Sequence, residues 1–462
     1  MRTTEFPEIT ARIESVRKGF ESGVLHSITD RKAQLEALRT MLVDHEGTLT
    51  DALYDDLGKS AIEAYTTEIG FTISEIDHAL KHVAGWAKPR RVSLPLHLRP
   101  GSARIHPEPV GTVLIIAPWN YPLQLVLAPL VAAMAAGNTA VVKPSEIAPA
   151  TAEALERLIP EYVDQSAVQV VNGAVPETTA LLAARWDHIF YTGNGTVGRI
   201  VMEAASKHLT PVTLELGGKS PAIVTSHANL AVAGRRIAWG KWTNAGQTCV
   251  APDYVLVDRT VASRFISEMS TAVTAFYGSD PFASPDYGRM VSDHHFERVT
   301  GLLAGAGTVT HGGSHDAATR YIAPTVITDV DADAPIMREE IFGPLLPVLT
   351  YETLDEAIVF VNARDKPLAL YAFTDDDAEA DRLVQATSAG GVTINHTLLH
   401  LAVPEFPFGG VGASGMGAYH GQYGFDEFSH LKPVLNRRSS PDPRLAYPPY
   451  TGWKAKLLKK LF

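Results

Sequence analysis

Cysteine is all but missing from this chain: Cys249 is the only one in 462 residues. No internal disulfide is available, and a reducing compartment is the natural setting, although scarcity of cysteine does not by itself exclude secretion. Positive charge is also short. The 40 Lys and Arg against 51 Asp and Glu give a formal net charge of -11, which repels a phosphate backbone and argues against nucleic acid as a partner. Residues 1–23 alternate polar and charged side chains without an apolar centre, so no signal peptide is expected and the chain reads as cytoplasmic. The most apolar region, 110–136, is interrupted by Pro118, Asn120, Pro122 and Gln124. A buried strand, a functional loop and a buried helix explain it better than a membrane span. No internal repeat is visible.

What is present is ordinary globular material, with 45% apolar and 20% charged residues. The length exceeds what one core usually supports and predicts two large domains. Ser27, Ile28, Thr29 and Asp30 resemble a capping box, and Leu35, Leu38, Met41 and Leu42 then recur at helical spacing. Prolines at 89, 95 and 100 predict an extended excursion after this helical opening. Short apolar strands then alternate with helices: strands over 110–116, 139–142, 167–171 and 188–191, with helices over 124–136 and near 177–184 between them. A second block, 217–395, repeats the rhythm with strands near 254–257, 325–330, 345–350, 370–374 and 391–395. This alternation implies parallel sheets covered on both faces, an α/β fold of two doubly wound domains.

Four stretches carry chemistry. Cys249 follows Gly246-Gln247-Thr248; a thiolate is a strong nucleophile, whereas a lone buried thiol is an inert small apolar residue. Gly193, Gly195 and Gly198 satisfy G-x-G-x-x-G between a strand and a helix, where backbone can approach a pyrophosphate, or else form only a tight turn. Lys143 and Glu146 follow a strand and suit ribose hydroxyls, or solvent. Glu215 sits in an apolar run beside Gly217 and Gly218, where burial would raise its pKa towards that of a general base, or else it is a paired core or edge glutamate.

Taken together, Pro118-Trp119-Asn120-Tyr121-Pro122, Lys143-Pro144-Ser145-Glu146, Leu214-Glu215-Leu216-Gly217-Gly218-Lys219, Gly246-Gln247-Thr248-Cys249 and Glu340-Ile341-Phe342-Gly343-Pro344 resemble the signature set of the aldehyde dehydrogenase superfamily. The stretch from Pro407 to Gly417, followed by Tyr419-His420-Gly421, is similar to the class 3 branch, which includes fatty aldehyde dehydrogenases. The resemblance implies Cys249 as nucleophile, Glu215 as general base, and an oxyanion hole from the Asn120 amide and the Cys249 N–H. It also implies a bound NAD or NADP, with Lys143 and Glu146 at the adenosine ribose, Gly193, Gly195 and Gly198 along the cofactor turn, Glu340 at the nicotinamide ribose and Phe342 beside the ring.

The implied architecture is a Rossmann-like cofactor domain (1–85 and 105–216), a catalytic domain (217–395), a small β oligomerisation arm with bridging segments (86–104 and 396–438) and a tail (439–462). A homodimer is implied. The branch often carries a second cysteine where this chain has Ala245. The expected substrate is a hydrophobic aldehyde, aliphatic or aromatic, oxidised to its acid, with Tyr65, Trp119, Tyr121 and 398–408 as apolar lining. Rivals are transfer of the thioester to coenzyme A, a non-catalytic binding protein on the same fold, and a simple cysteine esterase. A free thiol titrates near ~8.5, so a neutral-pH nucleophile needs its pKa lowered by some neighbour.

His294, His295, His311 and His315 lack companions at metal-ligand spacing and read as surface histidines. Trp453, Leu457 and Leu461 share a helical face among four lysines in the last ten residues, which suits an anionic membrane surface, docking on the protein, or fraying.

Overall fold

The computed structural model describes residues 2–440, 442 and 444–461. Its first sheet has Thr112–Ile116 at the centre, flanked in parallel by Thr139–Lys143 and His188–Gly193. Val168–Val170 and Val212–Leu216 extend it in parallel on either side, and Gly415–Met416 pairs antiparallel at the Val212–Leu216 edge. The chain winds outward in one direction, returns to the centre and winds out in the other. That reversal leaves a crevice at the carboxyl ends of Thr112–Ile116 and His188–Gly193, where open sheets of this kind bind ligands.

Both faces of the sheet are buried, which is why its strands read as continuous apolar runs. Val113 and Ile115 point into a core shared with helices Ile28–Asp44, Gly70–Trp86 and Gln124–Ala136, while Leu114 and Ile116 meet Val16, Leu181 and Val201 on the opposite side. Gln124–Ala136 is buried at every position, as expected of a helix apolar all round. The Ser27 hydroxyl accepts from the Asp30 N–H at 3.1 Å, so the expected cap is formed, and Leu35, Leu38, Met41 and Leu42 are all buried.

In the second sheet the order is Thr308–His311, Thr325–Thr328, Leu345–Tyr351, Tyr254–Asp258, Pro221–Val224, Ala369–Phe373 and Gly391–Ile394. All neighbours run parallel except the Thr308–His311 edge. The sequence pattern did not reveal Pro221–Val224 or Thr308–His311. One is a four-residue strand starting at a proline beside paired glycines; the other is an exposed edge without apolar alternation. The largest apolar cluster runs without a break from the first sheet into the second, through residues such as Val113, Ala222, Val255 and Tyr371.

A separate antiparallel sheet joins Arg90–Val92, Ser102–Pro109 and Ser429–Asn436, the last two paired in register from Ser102↔Asn436 to Pro109↔Ser429. Among the described residues no helix is long and apolar enough to cross a membrane. The region 110–136 resolves into the strand, loop and buried helix that its prolines suggested.

Candidate active site

The two sheets meet through a very short link. Val212–Leu216 delivers Glu215 to the carboxyl end of the first sheet, and residues 217–220 then lead directly into Pro221–Val224 of the second. Pro221 pairs with Tyr254, and Tyr254–Asp258 pairs in turn with Leu345–Tyr351, all parallel. The loops entering these three neighbouring strands, 217–220, 246–253 and 340–344, therefore gather at one edge. Cys249 and Glu340 sit in two of them. Contact between the loops is tight at two positions: a Cβ on Gly217 would lie 2.0 Å from Glu340 Oε2 and displace that carboxylate, and one on Gly246 (φ +76°) would lie 2.3 Å from the Gly343 backbone carbonyl, which excludes a side chain there.

Asn120 reaches the same place from the loop after Thr112–Ile116. It is buried, and its Nδ2 donates to the Gln247 carbonyl at 3.0 Å, two residues before Cys249, leaving its second N–H free to serve another acceptor. The Asn120 carbonyl accepts from Lys59 Nζ at 3.0 Å and from Asn244 Nδ2 at 2.8 Å. Lys59 is paired with Glu68, both fully buried, and its ammonium lies 4.0 Å from the Tyr121 ring centroid. Glu68 Oε2 accepts from the Leu123 and Gln124 N–H groups at 2.9 and 3.2 Å, which caps the buried helix that follows.

The cysteine loop is held with similar care. Asn244, Ala245 and Gly246 adopt successive left-handed conformations (φ 54°, 51° and 76°), which cost a non-glycine residue roughly 1–2 kcal/mol each. Glu63 accepts from the Asn244 N–H at 2.6 Å, Gln247 bonds the Arg289 carbonyl and the Val291 N–H at 3.0 Å each, and the Thr248 and Tyr121 hydroxyls meet at 2.6 Å. Strain of this kind persists only where neighbours over-determine it, and it clusters at functional sites.

The electrostatics differ from the expectation for the thiol. Cys249 is half-buried, and its pKa is pushed up, first by burial and then by the Glu340 and Glu215 carboxylates, against its own and the Val250 N–H. The protein's acidic neighbours thus oppose the thiolate. Glu215 is buried, and neither of its oxygens has a hydrogen-bond partner among the described residues; burial and then Glu427 hold its pKa well above the usual carboxylate range. Glu340 is pushed up to about 8 by burial and by Asp253, against the Gly218 N–H, Lys219 and Lys241. Lys241 is fully buried without a hydrogen-bond partner among the described residues, and burial brings its ammonium down to about 8.

The remaining sequence candidates line the crevice. Lys143 is buried at the end of Thr139–Lys143, with Nζ 2.5 Å from Glu146 Oε2. Gly193 ends its strand, Asn194 caps helix Gly195–Ser206 by accepting from the Val197 N–H at 3.0 Å, and Gly198 packs on Leu216. A helix N-terminus, a lysine–glutamate pair and Glu340 are groups that suit the phosphates and ribose hydroxyls of a dinucleotide. Phe342 is half-buried, and its ring meets Trp119 edge-on at 5.3 Å. Of the expected lining, Tyr121 and Phe408 are buried, whereas Tyr65 is 39% exposed.

One expectation is corrected. His295 is not a surface histidine: it is half-buried, its Nδ1 is enclosed, and its ring packs at a tilt on Trp119 with centroids 4.6 Å apart, whereas His294 and His315 are exposed and His311 is half-buried. Among the described residues no group of His, Cys, Asp and Glu is placed to hold a metal ion. Sequence reading missed Lys59, Glu63, Glu68 and Lys241 altogether. Only Asn244 and Gln247, next to the cysteine, carried any signal.

A family model described as the aldehyde dehydrogenase family matches residues 3–434. The 4,4'-diaponeurosporen-aldehyde dehydrogenase of Staphylococcus aureus is 49% identical over 444 residues, 96% of each chain. A rat aldehyde dehydrogenase described as dimeric and NADP-preferring is 47% identical, covering 96% of this chain and 98% of its own. Among solved structures, the substrate-bound state of Staphylococcus aureus AldH superposes with a TM-score of 0.96 at 48% identity, covering 98% of this chain and 99% of that one.

Replacing Lys59 with Met leaves Glu68 buried without its counter-charge, and is expected to destabilise the protein by about 3–5 kcal/mol. Adding Glu68→Gln should recover part of that loss. Urea unfolding of the two variants checks this; equal stability of Lys59→Met and wild type would refute it.

Proposed function

We propose, on the premise that this chain belongs to the aldehyde dehydrogenase family, that it oxidises a hydrophobic aldehyde to the carboxylic acid with NAD or NADP, using Cys249, Glu215 and Asn120. What carries the reading is Glu215, a buried carboxylate whose oxygens have no hydrogen-bond partner among the described residues and whose charge acts on the Cys249 thiol. Once its proton has passed to solvent, the Cys249 sulfur attacks the aldehyde carbon as the thiolate, and the oxygen that gains charge is met by the second Asn120 amide N–H and the Cys249 backbone N–H. Such preorganised donors are worth roughly 3 kcal/mol each in barrier height.

Lys143, Glu146, Gly193, Gly195, Gly198, Glu340 and Phe342 would hold the dinucleotide, which when bound accepts the hydride that leaves the reacting carbon. Glu215 then takes a proton from water as that oxygen bonds to the thioester carbon and the C–S bond breaks. A carboxylate in this role argues for hydrolysis over transfer to coenzyme A. Hydrophobic substrates are supported by the aromatic surround of Trp119, Tyr121 and Phe408 and by the likeness to the Staphylococcus aureus diaponeurosporen-aldehyde enzyme.

Two finer proposals concern assembly and surroundings. A homodimer through the Arg90–Val92, Ser102–Pro109 and Ser429–Asn436 sheet is supported by exposed apolar residues there, Val92, Leu431, Val434 and Leu435, and by the rat relative described as dimeric. Peripheral membrane contact through helix Gly452–Leu461 is supported by Trp453 and Leu457, which are 63% and 41% exposed beside basic side chains.

An aldehyde panel assayed with NAD and NADP tests the function: medium to long aliphatic or aromatic aldehydes should give the highest kcat/KM and free acid as product, and acyl-CoA formation in place of acid would overturn it. Because the Glu215 pKa is raised, its basic form is populated only as pH climbs above the ordinary carboxylate range. Deacylation should therefore accelerate with pH and then level off. Glu215→Gln should flatten that limb, slow turnover by roughly 10²–10⁴-fold and keep the single-turnover burst of NADH; unchanged steady-state turnover would move the base role to Glu340. Truncation after Tyr450 should reduce sedimentation with anionic vesicles, and equal sedimentation of both forms would end the membrane proposal.

A further inference from the structure

Helix Asp293–Gly301 joins the two loops on which the proposed chemistry turns. It opens at Ser292, whose hydroxyl accepts from the His295 N–H at 3.4 Å, and residues 295 and 298, three apart, fall on one face. From that face Arg298 donates to the carbonyls of Ile341 and, at 3.4 Å, Glu340. The residue that follows, Phe342, is held at φ +47°, a left-handed backbone that a bulky side chain adopts only under constraint. Arg298 fixes both carbonyls immediately before the strained residue, and it shares the loop with Asp253, which accepts from the Ile341 N–H at 3.0 Å, and Lys219, which donates to the Glu339 carbonyl at 2.9 Å. Burial lowers the pKa of the Arg298 guanidinium, against the opposing charges of Glu340, Glu339 and Asp253.

The same helix reaches the opposite loop through His295. Its ring packs on Trp119 at a tilt of 46° with centroids 4.6 Å apart, Trp119 meets Phe342 at 5.3 Å, and Trp119 adjoins Asn120. His295 Nδ1 is enclosed with no hydrogen-bond partner among the described residues, and the ring meets Trp119 through a tilted aromatic contact. Arg298 pins one side of the crevice and His295 braces the other.

We infer that Arg298 and His295 are positioning residues: through one helix they set Glu340 and Phe342 against the Trp119–Asn120 loop, and so fix the nicotinamide end of the dinucleotide relative to Cys249. The inference rests on the proposed roles of Glu340 and Phe342. It separates two activities that share the cysteine. Hydride transfer needs the Glu340–Phe342 loop in place, whereas cofactor-free ester hydrolysis at Cys249 does not.

The full-length enzyme and its Arg298→Ala, Arg298→Lys, His295→Ala and His295→Phe variants test it by three readouts: NADH and NADPH affinity from quenching of tryptophan fluorescence, the rate of the NADH burst, and hydrolysis of p-nitrophenyl acetate without cofactor. In Arg298→Ala, dinucleotide affinity and burst rate should each fall roughly ten- to a hundredfold, the cost of a small misplacement, with ester hydrolysis within about twofold of wild type, less than a tenfold-type effect. Arg298→Lys should recover part of the loss, and His295→Phe, which keeps a ring on Trp119, should perform better than His295→Ala. Parallel loss of ester hydrolysis and burst would reduce the helix to a general structural prop and overturn the inference; so would unchanged affinity and burst. A wild-type enzyme that binds dinucleotide but reduces none with any aldehyde would refute the proposed function instead, and affinity and ester hydrolysis would still decide the role of Arg298.

Discussion

Everything at the catalytic edge depends on how closely residues 217–220 let the two sheets approach. Four residues separate a strand end in the first sheet from a strand start in the second, and the Glu340 carboxylate lies where a side chain at 217 would be. Carboxyl ends of one sheet therefore face amino ends of the other across a seam one loop deep. Glu215, on the last turn of backbone before the seam, and Cys249, on a loop just beyond it, are brought within electrostatic reach with little chain between them to flex. The continuous apolar cluster beneath both sheets keeps the seam closed.

Into this seam the protein places acids rather than bases. Glu215 and Glu340 both raise the thiol pKa, and burial raises their own, so proton affinities around the sulfur are all shifted upward together. A carboxylate without hydrogen bonds keeps its basicity for water; a thiol without a neighbouring cation remains protonated until something else favours its ionisation. The polar network that holds these groups is itself built from buried charges. Lys59 and Glu68 tie the Asn120 loop to a helix start, Glu63 ties down Asn244, and Arg298 ties down the Glu340 loop. Each satisfies backbone groups that the tight turns leave unpaired.

Much of this was legible in the residues. β-branched runs with short helical intervals gave parallel sheets because strands buried on both faces cannot alternate polar and apolar. The motifs around Asn120, Glu215, Cys249 and Glu340 were visible because tight turns and close approach demand particular residue types at fixed spacing. Lys59, Glu68 and Lys241 were not, since a buried charge looks like a solvated one until its neighbours are known. His295 was misread for the same reason: its placement follows from a helix packing on Trp119, a contact between positions 176 apart in the chain.

The sequence by itself determined the alternation of strands and helices, the candidate nucleophile and candidate base, and the family whose pattern they follow, because these are written in local spacing and composition. Only the tertiary structure decided that the two sheets meet end to start across a four-residue link, that acids rather than cations surround the sulfur, and that Arg298 and His295 brace the crevice. Those features arise from burial and from contacts between distant segments, and burial is what turns an ordinary carboxylate, ammonium or imidazole into a group with a shifted proton affinity or a fixed place.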